Sequence, residues 1–230
     1  MPTSISKALY SARLKAYYTY LWLKCSVDGL QFVQPNFAFF AKLLGEGIAI
    51  DVGVGEFPDF AEYIIANYGL ETYIIDPTLK HSAKLRKFES DHPNSHYFQE
   101  ALGSANEQRL FYESQSNESG SLITDHVNIQ KDPLVSYEVQ VITLNDLLKQ
   151  CGDKQVDIIK IDIEGEEYNF INSLETQTLK RIRQMIIEFH HGIISRYSFE
   201  DTVRAKKKVE EFGMKAKMYT GRDCLFYWNV

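Results

Sequence analysis

Ile48-Ala49-Ile50-Asp51-Val52-Gly53-Val54-Gly55-Glu56-Phe57 joins a short apolar run to a pair of glycines. A run of this kind, closed by glycines, reads as a strand buried on both faces that turns sharply into a helix. Gly53 and Gly55 can adopt backbone angles closed to other residues and let the main chain approach a ligand. The helix expected next, Asp59–Tyr68, would offer free N–H groups to an anion at its N-terminus. Any tight strand–helix joint also needs glycine, so the meaning of this turn depends on its surroundings.

Downstream, strand and helix patterns alternate. Thr72–Ile75 reads as a second strand, closed by Asp76-Pro77, and Thr78 is placed to cap a helix running to about Ser90. His96–Gln99, Asp157–Ile161 and Arg183–Glu188 read as further strands. Leu144–Gln150 behind Thr143, Glu166–Leu174 and Phe199–Phe212 read as helices, and Leu110–Glu113 with Glu138–Ile142 as an inserted hairpin. Continuous apolar strands alternating with helices specify an α/β domain built on a parallel, doubly wound sheet. The final pair, Met214–Met218 and Cys224–Trp228, is joined by only Tyr219–Asp223. Parallel neighbours need a long crossover, so this pair must be antiparallel. A mostly parallel Rossmann-like sheet with an antiparallel C-terminal hairpin is the layout of class I methyltransferases.

Upstream, residues 1–44 read as a helical N-terminal extension to a domain spanning 45–230. Tyr10, Leu14, Tyr17, Leu21 and Lys24 fall on helical spacing, and a second short helix is expected around Phe37–Leu44 before Gly45 and Gly47. The segment Glu113–Pro133 is polar and carries neither helix nor strand pattern. A loop of this length is expected to serve function, here as a lid.

Composition narrows the classes. The chain has 230 residues, 44% hydrophobic and 24% charged, with a net charge of −6. That is one α/β domain. Its acidic balance speaks against nucleic acid as a partner, whose phosphates demand a basic surface. Cys25, Cys151 and Cys224 are far apart and form no Cys-x-x-Cys pair, which argues against a disulfide framework or a structural zinc site. No apolar run approaches the length of a membrane span, about 20 residues, and the N-terminus lacks a signal-peptide pattern. Stable membrane insertion is therefore not expected, the cytoplasm is the default compartment, and homo-oligomerisation stays open.

The candidate ligand residues sit at strand ends. Asp76 closes the second strand, where an acid accepts ribose hydroxyls in nucleotide-binding sheets. Asp51 precedes the first glycine, which suits a cofactor ammonium. With Gly53, Val54, Gly55, Pro77 and Asp162 they form one cofactor set, and Glu100-Ala101 at the end of the third strand are placed near an adenine edge. Asp157-Ile158-Ile159-Lys160-Ile161-Asp162-Ile163-Glu164-Gly165-Glu166-Glu167 delivers Asp162 and Glu164 to the same end of the sheet. Glu166 and Glu167 are read as favouring a helix N-terminus through its dipole. Glu188 and His190 end the next strand. Histidine is the commonest general base, so His190 and Asp162 are the candidate bases and Glu164 the residue that orients an acceptor. These strand-end acids and His190 would be the ones to gather a divalent cation, but no compact ligand spacing supports a metal and none is favoured.

These segments resemble the FkbM family of methyltransferases. The carriers are Ile50–Gly53, Ile75–Pro77, Glu100–Gly103, Ser121-Leu122, Val141–Leu148, Lys160–Glu167 and Ile187–His190, in the family's order across roughly 47–191. The resemblance implies a class I fold, S-adenosylmethionine as methyl donor and a hydroxyl acceptor on a sugar or natural-product small molecule, with Ser121 and Glu188 on the acceptor side. An inactive relative that keeps the cofactor and serves as a binding module is the alternative. Two departures stand out. Phe57 occupies the place of the family's last loop glycine, and Asp76 stands where glutamate is common. A nicotinamide-dependent reading would need that third glycine for a pyrophosphate.

Overall fold

The computed structural model describes residues 4–229, with side chains from Tyr10 onward. Seven strands form the central sheet: β1 (Ile48–Val52), β2 (Glu71–Ile75), β3 (Ser95–Phe98), β4 (Val156–Ile161), β5 (Gln184–Glu188), β6 (Lys215–Met218) and β7 (Asp223–Tyr227). Their order is β6-β7-β5-β4-β1-β2-β3. β1 to β5 run parallel, and β7 is inserted antiparallel between β5 and β6. The class I methyltransferase arrangement read from the sequence is therefore present. β1 and β4 are buried along their whole length, as strands covered by helices on both faces must be. The strand order reverses between β1 and β4, which opens a crevice at their carboxyl ends.

The core divides across the sheet. One side packs Ile50, Val52, Ile159, Ile161 and Ile187 against Leu147, Phe170 and Val209. The other packs Ala49, Ile158 and Ile186 against Phe60 and Ile64 of the helix Asp59–Tyr68 and against Phe37 and Phe39. That helix ends on Gly69 in a left-handed conformation, the usual stop.

Several expected elements form differently. Phe37–Leu44 is not a helix. Phe37–Phe39 is a strand paired antiparallel with Gln31–Val33, followed by a single 3-10 turn at Ala41–Leu43. All three strand residues are buried, and burying them against the sheet outweighs their helical spacing. Thr78 caps no helix: its N–H donates to Asp76 Oδ1 at 2.8 Å, and the next helix begins at Ser82. The expected helix Glu166–Leu174 is Glu167–Asn172 plus a separate turn, Thr176–Leu179. The inserted hairpin is longer than its apolar pattern. Glu107–Ser114 pairs antiparallel with Leu134–Ile142, and Ala101–Leu102 and Gly120–Ser121 complete a four-stranded sheet. Gly120–Ser121 lies within the segment read as an unstructured lid.

The turn after β1 is locked by sterics. Gly53 has φ +73°, and a Cβ there would lie 1.5 Å from the Asp162 carbonyl oxygen. Gly53→Ala is expected to lower stability by at least about 3 kcal/mol, more than left-handed strain alone, read as a fall in the urea midpoint.

Candidate active site

The crevice holds a cavity of about 310 Å³. Gly53, Val54, Gly55, Asp76, Pro77, Glu100, Ala101, Asp162 and Glu164 all line it. Phe111, Glu113, Glu118, Gly120 and Leu122 of the inserted hairpin and its loop form the outer wall. A second cavity of about 170 Å³ adjoins it, lined by Asn36, Asp51, Lys160, Asp162, Glu188 and Asp223 among others. Gly53, Val54, Phe57, Asp59 and Asp162 line both.

Asp76 organises the loop. Its Oδ2 accepts hydrogen bonds from Val54 N and Gly55 N, both at 2.8 Å. The N–H groups of Val54 and Gly55 in the turn are thus taken by this carboxylate. A carboxylate has about four acceptor sites; three are occupied by backbone donors. Asp51 does not face the larger cavity. Its Oδ2 accepts from Ala61 N at 3.2 Å in the first turn of Asp59–Tyr68. Its Oδ1 lies 3.5 Å from Lys160 Nζ and has no hydrogen-bond partner among the described residues. Lys160 Nζ donates to the Gly53 carbonyl at 2.7 Å and sits 3.6 Å from Asp162 Oδ2. A buried ammonium therefore bridges two carboxylates and the glycine loop.

A histidine-centred cluster lies beside Asp162. His190 Nε2 is 3.2 Å from Glu164 Oε2 and 3.5 Å from Asp162 Oδ1, while Nδ1 is 2.7 Å from Glu167 Oε1. The two oxygens of Glu167 also accept the Gly165 N–H at 3.1 Å. Glu164 has a left-handed backbone, φ +49°, an arrangement that costs about 1–3 kcal/mol and persists only under constraint. The constraints are His126 Nε2, 2.7 Å from Glu164 Oε2, and Ser121 Oγ, which donates to the Glu164 carbonyl at 2.6 Å.

The sequence profile of the methyltransferase FkbM domain matches residues 29–212. The chain belongs to the FkbM methyltransferase family. The match begins ahead of the resemblance read from motifs, and so takes in the Gln31–Phe39 hairpin. No curated protein matches the chain in sequence. Among solved structures, a Methanococcus jannaschii fibrillarin pre-rRNA processing protein superimposes with a TM-score of 0.50 at 10% identity, covering 89% of this chain and 72% of its own. That likeness concerns the fold. An Aeropyrum pernix fibrillarin with natively bound S-adenosyl-L-methionine has a TM-score of 0.44 at 10% identity, covering 80% of this chain and 67% of its own. The N-terminal domain of human METTL16 in complex with SAH has a TM-score of 0.45 at 11% identity, covering 100% of this chain and 72% of its own.

In this FkbM methyltransferase the site charges are strongly shifted. Burial alone would lower the His190 pKa, but Glu167, Glu164 and Asp162 outweigh it and raise it to about 10. His190 is thus an imidazolium at neutral pH and has no free nitrogen for the base role expected of it. Burial raises Asp162 above the usual carboxylate range, opposed by Lys160 and His190. Burial lifts Glu188 to about 7 and Asp223 to about 6, and Asp162 adds to both. Glu164 is lowered: burial opposes this, but the hydrogen bond from His126 and the charge of His190 prevail.

Ser121 departs from its expected place on the acceptor side. It is buried, and its hydroxyl is engaged by the Glu164 carbonyl and the Ile123 N–H. Glu188 lines the smaller cavity, where Asn36 Nδ2 donates to it at 3.2 Å and to Asp223 at 3.1 Å. The sequence does not single out Asn36, His126 or Asp223, and it gives Lys160 no role beyond its place in a motif, although a cation inside an otherwise apolar strand is a signal. Glu167, read as a helix-dipole carboxylate, is the partner of His190. Asp162, Glu164 and His190 each present a donor atom within 4.8 Å of the others. They could hold a small divalent cation only by releasing the proton on His190.

Two outcomes follow from this electrostatic arrangement. Lys160→Met leaves Asp51 and Asp162 without their cation and is expected to cost about 3–5 kcal/mol in urea denaturation. The raised pKa of His190 contributes stability fully below about pH 6.5, its ordinary value, and loses it as pH rises through about 10. The urea midpoint of the wild type is therefore expected to fall across that window, and that fall to be absent in His190→Gln.

Proposed function

We propose that this chain is an S-adenosylmethionine-dependent O-methyltransferase acting on a hydroxyl of a sugar or natural-product small molecule. The observation that carries the reading is Asp162. It lines both cavities, and its side chain, flanked by Lys160 and His190, is 25% exposed. A carboxylate so placed can serve a ligand in either cavity, at the end of the strand where class I sheets carry out chemistry.

The larger cavity fits the cofactor. Asp76 keeps acceptor capacity for a ribose hydroxyl, and Glu100 and Ala101 line the region at the end of β3. The cofactor supplies an electrophilic methyl group on a sulfonium. The protein must align an acceptor oxygen with it and remove a proton. Positioning of this kind is worth about 7–11 kcal/mol. An aliphatic hydroxyl is a weak nucleophile, so a base adds roughly 10²–10⁴-fold. Asp162, raised by burial, accepts that proton. His190, held in orientation by Glu167, keeps its positive charge beside Asp162 and Glu164 and steadies the carboxylate. Glu188 and Asp223, in the smaller cavity, accept hydrogen bonds from further acceptor hydroxyls.

Calorimetric titration with S-adenosylmethionine, followed by methyl-tritium transfer to a panel of monosaccharides and hydroxylated aromatic compounds, tests the reading. Saturable binding and label on an acceptor oxygen are expected. Asp162→Asn is expected to lower transfer at least a hundredfold, while binding of S-adenosylhomocysteine changes far less. Absence of binding would overturn the enzyme reading. Binding without transfer to any hydroxyl compound would favour a cofactor-holding module instead.

A further inference from the structure

Outside the catalytic crevice, the helix Ser4–Val27 stands apart. Its inner side is tied down: Leu21 and Cys25 are buried, and Lys24 Nζ donates to the Tyr219 carbonyl at 2.8 Å. Among the described residues, nothing covers its outer side. Tyr20, Leu23 and Val27 fall on one helical stripe facing away from the body, and are 58%, 53% and 87% exposed. Trp22 on the flank is 54% exposed, and Tyr10 and Tyr17 are exposed along the first half. Apolar and aromatic surface of this extent left in water marks an interaction site.

Charge identifies that partner. Lys7, Arg13, Lys15 and Lys24 lie in the helix, and none of the chain's 31 acidic residues does. Arg13 and Lys15 are exposed, and neither has an ion-pair partner among the described residues. A second copy of the helix would set like charges against each other. Tyrosine and tryptophan, with an apolar body and a polar tip, belong at the boundary between hydrocarbon and water. No helix among the described residues is long and apolar enough to cross a membrane.

We infer that the helix Ser4–Val27 adsorbs this protein onto an anionic lipid bilayer, lying in the headgroup plane with Tyr20, Leu23 and Val27 facing the acyl chains and Arg13 and Lys15 on lipid phosphates. The rest of the chain carries the acidic excess, which keeps the body off the surface and orients it.

Flotation with vesicles tests this on the full chain. Vesicles of phosphatidylcholine with phosphatidylglycerol are expected to carry the protein, phosphatidylcholine alone to carry far less, and raised salt to release it. Trp22 emission is expected to shift blue on binding. Trp228 stays within the body, its Nε1 donating to the Ile182 carbonyl, so Trp22→Phe should abolish the shift. Arg13→Glu with Lys15→Glu is expected to weaken binding at least about tenfold, with unchanged circular dichroism and melting temperature. Leu23→Ser with Val27→Ser, both on the exposed stripe, should weaken it as well. Three results would overturn the inference: no flotation with either vesicle, flotation indifferent to the charge reversal, or a concentration-dependent dimer that buries Trp22 without lipid.

Discussion

The buried ammonium of Lys160 is the interaction on which the site depends. β4 places it between Asp51 on β1 and Asp162 at its own end, where it also holds the Gly53 carbonyl. Two carboxylates this close in a dry interior would repel each other or take up protons. The lysine lets both be present, though burial would by itself pull its proton away. Its pKa is raised because Asp51 and Asp162 more than offset that penalty. The same contact fixes the loop carbonyl, so the glycine turn and Asp162 share one anchor. A buried charge set of this kind is poor value for stability alone, which points to function as the reason for it.

Around that anchor, charge is arranged in layers. Asp76 binds the loop amides, Asp51 satisfies the first turn of the next helix, and Glu167 grips both His190 and the Gly165 amide. His190 then offsets Asp162 and Glu164. Each carboxylate has a distinct set of donors, so each is left in a different protonation tendency. Asp162 and Glu188 are pushed up while Glu164 is held down. Sorting neighbouring acids by environment in this way is how one pocket separates a base from a binding group.

The inserted hairpin shows how a polar segment becomes part of a wall. Residues 114–121 fold back over the cavity because Ser114 Oγ accepts from Ser116 N and Asn117 N, both at 3.1 Å, while His81 meets Glu118 at 2.6 Å. Polar side chains and backbone close this turn without apolar periodicity. That is why its sequence reads as an open loop although the structure gives it a defined place.

The sequence by itself determined the sheet. Apolar runs such as Ile48–Val52 and Asp157–Ile161, bounded by turn residues and alternating with helices, read as strands covered on both faces, and the short link before Cys224 makes the last two strands antiparallel to each other. It also marked Asp76, Asp162 and Glu164, because acids that end apolar strands arrive at one edge. Only the tertiary structure decided which groups act on which. Phe37–Phe39 became a strand because the sheet offered a surface to bury it, a long-range gain that helical spacing cannot register. Ser121 turned inward to hold the strained Glu164, and His190 became a cation through Glu167, Glu164 and Asp162, which reach it from another strand's end. Protonation and hydrogen bonding depend on distances between residues far apart in the chain, and those distances exist only once the sheet has closed.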